Sequence, residues 1–187
     1  MNQIELLMDI LCRRRSVRRY QPGRPVEHDK ITLLLKAAMA APSACNLQPW
    51  EFIVVDNPDA LDKLKDSIHP EHGRSYNAPA AIVVCSNTNY IPWEGDGAMD
   101  CSAAIENMLL AATAMGLGAV WIGAADSATL RQLFDIPAPV AVISVVLVGY
   151  PAEEKPPRTQ YTEEAIYWQK YDPQREHPPR STDLRFL

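Results

Sequence analysis

Ile4, Leu7, Met8 and Leu11 recur at i, i+3, i+4 and i+7, which predicts an amphipathic helix at the start of the chain with Asn2 as its cap. The same spacing returns at Ile31, Leu34, Leu35 and Ala38, and Pro42 closes that second helix. Residues 51–55 are short, β-rich and ended by Asp56-Asn57-Pro58, so they predict a strand. Residues 58–68 read as a third amphipathic helix. Two continuous apolar runs, 80–85 and 140–148, have the composition of strands covered on both faces. Between them, Ala98, Cys101, Ile105, Met108, Ala112 and Met115 form one stripe of a helix whose other faces carry Ala104, Leu109 and Ala111. Such a helix is expected to be buried nearly all round, and its small residues suit close approach by a neighbouring helix or a subunit interface. Gly116-Leu117-Gly118 ends it, and residues 119–122 start another strand. From Pro151 the chain turns polar and proline-rich, with one amphipathic patch at 163–169. The expectation is a single domain over 1–187, with a core at 1–150 and an arm at 151–187.

Composition narrows the class. Of 187 residues, 47% are apolar and 22% charged, the balance of a globular chain with a sizeable core rather than a disordered one. Lys and Arg number 18 against 23 Asp and Glu, a net charge of −5, which argues against a general nucleic-acid or anionic-membrane binder. Proline, at 16 residues, is well above the roughly 5% of average chains and gathers at 137–157 and 173–179. Cys12, Cys45, Cys85 and Cys101 are widely spaced with no Cys-x-x-Cys pair, so neither a zinc ribbon nor a disulfide framework is expected. The first residues lack a basic n-region followed by an apolar run, and Asp100, Glu106 and Asn107 interrupt the most apolar long segment. A reduced, cytoplasmic setting with no membrane partner is the expectation.

Chemistry concentrates in two places. Arg13-Arg-Arg-Ser-Val-Arg-Arg19 puts five arginines in seven residues at the end of the first helix. Two or three cations suffice to complement a helix dipole. The excess, with an embedded Ser16, suits a phosphate, which guanidinium groups grip bidentately. A nucleic-acid patch is the third reading, without a second basic stripe to support it. Residues 41–50, Ala-Pro-Ser-Ala-Cys-Asn-Leu-Gln-Pro-Trp, set Ser43, Asn46 and Gln48 beside an aromatic ring. All three side chains both donate and accept, the lining a polyol or a heteroaromatic edge requires, although such a loop is ordinarily only a turn.

With these segments the sequence resembles the nitroreductase family of FMN-dependent oxidoreductases. Arg14-Arg15-Ser16-Val17-Arg18 is similar to its N-terminal flavin motif, and Pro42 to Trp50 is similar to its Pro-Ser-x-x-Asn-x-Gln-Pro-Trp segment. Gly116-Leu-Gly-Ala-Val-Trp-Ile-Gly123 and Val148-Gly-Tyr-Pro-Ala-Glu153 resemble the third and fourth segments, in the family's order. The resemblance implies an α+β fold with a central, mostly antiparallel sheet flanked by helices in three α-β-α layers, in an intertwined homodimer with FMN at the interface and the C-terminal arm on the partner. It implies that Arg14 and Ser16 hold the FMN phosphate with contacts from Arg15, and that Arg18 approaches the pyrimidine edge of the ring. It implies that Ser43, Asn46 and Gln48 come from the other subunit, that Ile122, Gly123 and Ala124 meet flavin N5 and O4 through backbone N–H groups, and that Arg158 returns to the phosphate. The reaction implied is hydride transfer from NAD(P)H through the flavin to a nitroaromatic, a quinone or a similar electron-poor small molecule by ping-pong turnover, with no protein nucleophile. Relatives that dehalogenate, reduce an enone or cleave flavin, and a non-catalytic flavin binder, are the alternatives.

The sequence departs from the pattern in three respects. Pro156 stands where the family often has a basic residue, with Lys155 beside it. Gly123 stands where some branches are acidic, and the chain is short, which implies a more open pocket. Among the remaining candidates, His69-Pro-Glu-His72 is expected to be a solvated loop, since Pro70 spoils helical metal-ligand spacing. Arg74 reads as a surface residue, Trp93 as a lid or a core side chain, and Cys45 as a small buried residue.

Overall fold

The structure, a computed structural model, describes residues 2–68, 76–123 and 125–176. Helix α1, Gln3–Arg13, opens on a reciprocal cap: Asn2 Oδ1 accepts the Glu5 N–H at 2.9 Å and the Asn2 N–H donates to Glu5 Oε2 at 2.9 Å. Helix α2 is His28–Met39, strand β1 is Trp50–Val55, and α3 is Pro58–Ser67, capped by Asn57 with proline at its first position. Then follow β2 (Ala80–Asn87), α4 (Ala98–Ala114), β3 (Gly118–Ile122), α5 (Ser127–Leu133) and β4 (Val140–Gly149).

The strands form one antiparallel sheet in the order β1-β2-β4-β3, and the outer connections place β2 and β4 at its centre. This α+β architecture is the one the resemblance implies. The period of two divides the central strands cleanly. Ile82, Val84, Val146 and Val148 pack with Leu34 and Ala38 of α2 and Cys101, Ile105 and Met108 of α4. Ala81, Val83, Val145 and Leu147 pack on the opposite face with Leu61 and Leu64 of α3 and Leu130 of α5. Helices therefore cover both faces, which is why both runs are apolar without alternation.

Two elements differ from the sequence expectation. Helix α4 buries Ala104 and Leu109 as well as its main stripe, but Met99 is exposed and Ala103 and Ala111 are half-buried. Helix α5 has no counterpart in the pattern reading: its seven residues carry too few apolar positions to register a period. Helix α1 has no buried residue, and Ile4, Leu7, Met8 and Leu11 of its apolar face are exposed.

The chain divides into two compact units, residues 1–157 and 158–187. In the second, the Tyr167 and Tyr171 rings stack with centroids 4.4 Å apart, and the Arg175 guanidinium lies 4.3 Å over Tyr167. Tyr161, Ile166, Trp168 and Arg175 help to line an open hollow of about 530 Å³ there. No helix among the described residues is long and apolar enough to cross a membrane.

Candidate functional site

The first arginine-rich motif leaves α1 at Arg14, whose N–H still closes the last helical turn on the Ile10 carbonyl at 3.0 Å. The backbone then extends along the free edge of β3: Ser16 bridges Ala119 in parallel, and the Val17 N–H donates to the Ala119 carbonyl at 3.0 Å. Tyr20 pairs with Pro151, and its buried hydroxyl donates to the Val17 carbonyl at 2.7 Å. Two glycines allow this docking. A Cβ on Gly118 would lie 2.6 Å from Val17 Cγ1, and one on Gly149 would lie 2.8 Å from Tyr20 Cδ1.

Extended backbone alternates its side chains, so Arg14, Ser16 and Arg18 share one side while Arg15 and Val17 take the other. Val17 is buried, and Arg15 donates to the Pro156 carbonyl at the rim of a cavity of about 380 Å³ that Arg13 and Lys155 also line. Arg13 pairs with Asp9 at 2.7 Å, the surface role expected of a cation in a last helical turn. On the first side, Arg14 lies 3.4 Å from Glu106 of α4. Arg18 Nε is buried with no hydrogen-bond partner among the described residues. A buried guanidinium nitrogen left unpaired is costly, so it marks a place where an acceptor belongs.

The fourth motif is held from below by a polar cluster. The Tyr150 hydroxyl accepts from Lys30 Nζ at 2.5 Å and donates to Glu27, with the Arg24 guanidinium 3.3 Å from its ring centroid. Glu153 then accepts the N–H groups of Arg18 and Arg19. Burial pushes its carboxyl up, but the Arg18 N–H and the Lys155 ammonium outweigh this and hold it below the ordinary range. Lys155, next to the departure at Pro156, donates to the Ser16 carbonyl at 2.5 Å and meets Glu153 at 3.2 Å.

The second motif is a shaped, exposed loop. Cys45, Asn46 and Gln48 have φ of 50°, 57° and 51°. Left-handed backbone is tolerable for Asn, but costs about 1–3 kcal/mol at residues such as Cys and Gln, and strain of this kind gathers at functional sites. Ser43 Oγ accepts the Gln48 N–H at 3.0 Å, Gln48 Nε2 donates to Asn46 Oδ1 at 2.8 Å, and Asp100 anchors the Ala44 N–H at 3.1 Å. Cys45 is exposed, not buried as its small size suggested, because the left-handed turn leaves it outside the packed face. Trp93 is also exposed, beside Tyr90 on the segment leading to α4.

The third motif ends on Ile122, whose carbonyl accepts from Ser144 Oγ at 2.7 Å, and on Gly123, which has open space where a Cβ would stand. Ala124 lies outside the described residues, as do His69, His72 and Arg74. Arg158 is exposed and belongs to the second unit. Among the described residues no group of His, Cys, Asp and Glu is arranged to hold a metal ion. Burial raises the Cys85 thiol to about 11 and the Cys101 thiol to about 12, so neither is a nucleophile near neutral pH.

The register separates the motifs. Ser16 lies beside Ala119, which faces Val148, while Trp50 faces Ser86, which faces Ala141. Ser16 and Trp50 thus stand at opposite corners of the sheet, on the order of 30 Å apart at ordinary strand spacing and rise. One chain brings Arg14, Ser16 and Arg18 together beside β3, and Ser43, Asn46 and Gln48 together beside β1, but does not unite the two sets.

Sequence reading passed over Glu153 as a site-forming residue and weighed Lys155 only as a substitute for the basic residue missing at Pro156. The fourth motif contained the signal, an acid and a base two residues apart after a Gly-Tyr-Pro turn.

Comparisons with known proteins agree over most of the first unit. The family model described as Nitroreductase family matches residues 11–86 and 73–150. A protein of Methanothermobacter thermautotrophicus with the provisional name NADH dehydrogenase/NAD(P)H nitroreductase is 39% identical over 169 residues, 88% of this chain and 87% of its own. A crystal structure from Parabacteroides distasonis with the same provisional name has a TM-score of 0.82 at 36% identity, covering 91% of this chain and 100% of that one. A provisionally named nitroreductase from Desulfovibrio desulfuricans, solved in complex with FMN, has a TM-score of 0.76 at 28% identity, covering 92% of this chain and 99% of that one.

Proposed function

The chain belongs to the nitroreductase family, and from that premise we propose that it is an FMN-dependent oxidoreductase. It takes reducing equivalents from NADH or NADPH and delivers them to a nitroaromatic, a quinone or a similar electron-poor small molecule. The working unit is a homodimer, in which the first and third motifs of one protomer face the second motif of its partner. The observation that carries this reading is the division of one donor set between opposite corners of the sheet, which a two-fold axis can reunite.

The residues fit the group. FMN bound there supplies the ring that accepts and returns a hydride. Arg14 and Ser16, with the Arg15 backbone between them, neutralise and orient the phosphate dianion, for which bidentate guanidinium geometry is suited. The unpartnered Arg18 Nε turns to the pyrimidine edge of the ring, where a cation favours an electron-rich state. Ile122 and Gly123 offer backbone N–H groups to the ring, and the missing side chain at Gly123 leaves the approach clear. Ser43, Asn46 and Gln48 contact the ribityl chain and ring from the partner, held ready by the bonds within their loop. No side chain of the chain forms a covalent intermediate.

A visible spectrum of the purified protein, followed by anaerobic NADH and then NADPH, tests this reading. Flavin bands that bleach within seconds, followed by reoxidation on adding menadione or nitrofurazone, are expected. Loaded flavin that neither nucleotide bleaches would assign the chain to another flavin reaction. A colourless protein that takes up no added FMN would overturn the reading.

A further inference from the structure

Glu153 and Lys155 make contacts that nothing in the flavin reading requires of them. Glu153 Oε1 accepts the Arg18 N–H at 2.7 Å and the Arg19 N–H at 3.3 Å. Lys155 Nζ stands 3.2 Å from that same oxygen and donates to the Ser16 carbonyl at 2.5 Å. The Ala152 N–H closes on the Arg19 carbonyl at 2.9 Å. Strand-like pairing of the arginine segment with β3 ends at the Val17 N–H, so the next two amides would otherwise lack an acceptor. One carboxylate satisfies both, and its side chain is only 22% exposed. The next residue is fixed as well, since the Tyr20 N–H donates to Asn77 Oδ1 at 3.0 Å. The backbone is therefore gripped at Ser16, Arg18, Arg19 and Tyr20, while Arg18 Nε stays buried and unpaired. A segment free to shift would carry that nitrogen toward water. The clip prevents this.

We propose that Glu153 and Lys155 form a positioning clip that fixes the Ser16–Arg18 backbone, presents the Ser16 and Arg18 side chains to the flavin, and so sets FMN affinity. The inference rests on the flavin reading of the site. Neither residue touches the cofactor; both act through the motif they hold. A rigid supporting contact of this kind raises affinity by removing the ordering cost of the first-contact side chains.

The test is FMN titration of apo-protein, followed by quenching of flavin fluorescence, for wild type, Glu153→Gln, Glu153→Ala, Lys155→Met, Arg18→Ala and the Glu153→Ala/Arg18→Ala pair. Circular dichroism checks that each is folded. Glu153→Ala is expected to weaken FMN binding about tenfold, and Glu153→Gln, whose amide oxygen still accepts the Arg18 N–H, to recover part of that loss. In the Arg18→Ala background the Glu153→Ala loss should shrink about threefold or more, because the carboxylate acts through Arg18. A merely structural role gives the same factor in both backgrounds, and that result would overturn the proposal. So would folded Glu153→Ala binding FMN within twofold of wild type. Should Glu153→Ala not fold, Lys155→Met decides: a loss of about threefold supports the clip, and binding within twofold overturns it. Wild type that binds no FMN overturns the flavin reading itself, whereas wild type that binds while the variants match it sinks the clip alone.

Discussion

Gly118 and Gly149 determine how closely the arginine segment lies against the sheet, and each does so by the absence of one carbon atom. At Gly118 a new Cβ would meet Val17 at 2.6 Å, on a side chain already fixed between β3 and Tyr20. Gly118→Val is therefore expected to destabilise the fold by about 1–3 kcal/mol, read as a lower Tm, and to weaken FMN retention in parallel. At Glu153 the prediction concerns pH. Its folded carboxyl lies below the ordinary range because the Arg18 N–H and Lys155 outweigh its burial. A depressed folded pKa contributes stability above the unfolded value of about 4.3, and that stability is lost as pH falls through the folded value. Wild type should thus melt above Glu153→Gln at pH 7, and the difference should close below about pH 4. The clustering of the arginines was legible in the sequence, but its division between two sides of the segment was not. Only the extended backbone after Arg14 separates Ser16 and Arg18 from Arg15, and the sequence carries no sign of where α1 stops supplying the geometry.

Helix α1 shows what periodicity can and cannot tell. Its cap and its apolar stripe were both plain in the sequence, yet the protomer buries none of its residues. Spacing identifies a face, not what covers it. We propose that the second copy of the homodimer covers this face, so Leu7→Lys with Leu11→Lys should shift the protein toward monomer in light scattering and reduce its FMN content with it. The same pair in a chain that is monomeric by design would raise solubility and change nothing else, since the residues are exposed there. Helix α5 escaped notice for the opposite reason. Its cap is strong, with Asp126 accepting from Ala128 at 3.0 Å and from Thr129 at 2.6 Å, but one buried residue, Leu130, makes no pattern. The loop at 43–48 was legible as a polar lining, while its left-handed turns were not, because Cys45 and Gln48 belong to residue types that rarely adopt them.

At the scale of the whole sheet the two candidate sets stand at opposite corners, and for the proposed site this makes a complementation experiment decisive. Arg14→Ala/Arg18→Ala ruins one half-site, and Ser43→Ala/Asn46→Ala/Gln48→Ala ruins the other. Each homodimer should bind FMN poorly. Mixed and refolded together in equal amounts, they should recover about a quarter of the wild-type FMN sites, because half of the dimers then pair one intact half from each variant. No recovery would mean that each site is built within one chain. The fold class and the four motifs were readable in order, but their arrangement depended on strand pairing over long sequence separations, which local patterns do not encode.

Those separations have a further consequence. The segment from Ser16 to Gln21 finds its partners at Ala119 and at Tyr150 to Lys155. Closing loops of that span is entropically expensive and slow. This strongly basic segment therefore waits for its partners until the chain as far as Lys155 has been synthesised. The Ser16–Arg18 segment is thus among the last parts of the fold to settle, and a chain stopped short of Gly118 carries all five arginines without a sheet edge to order them.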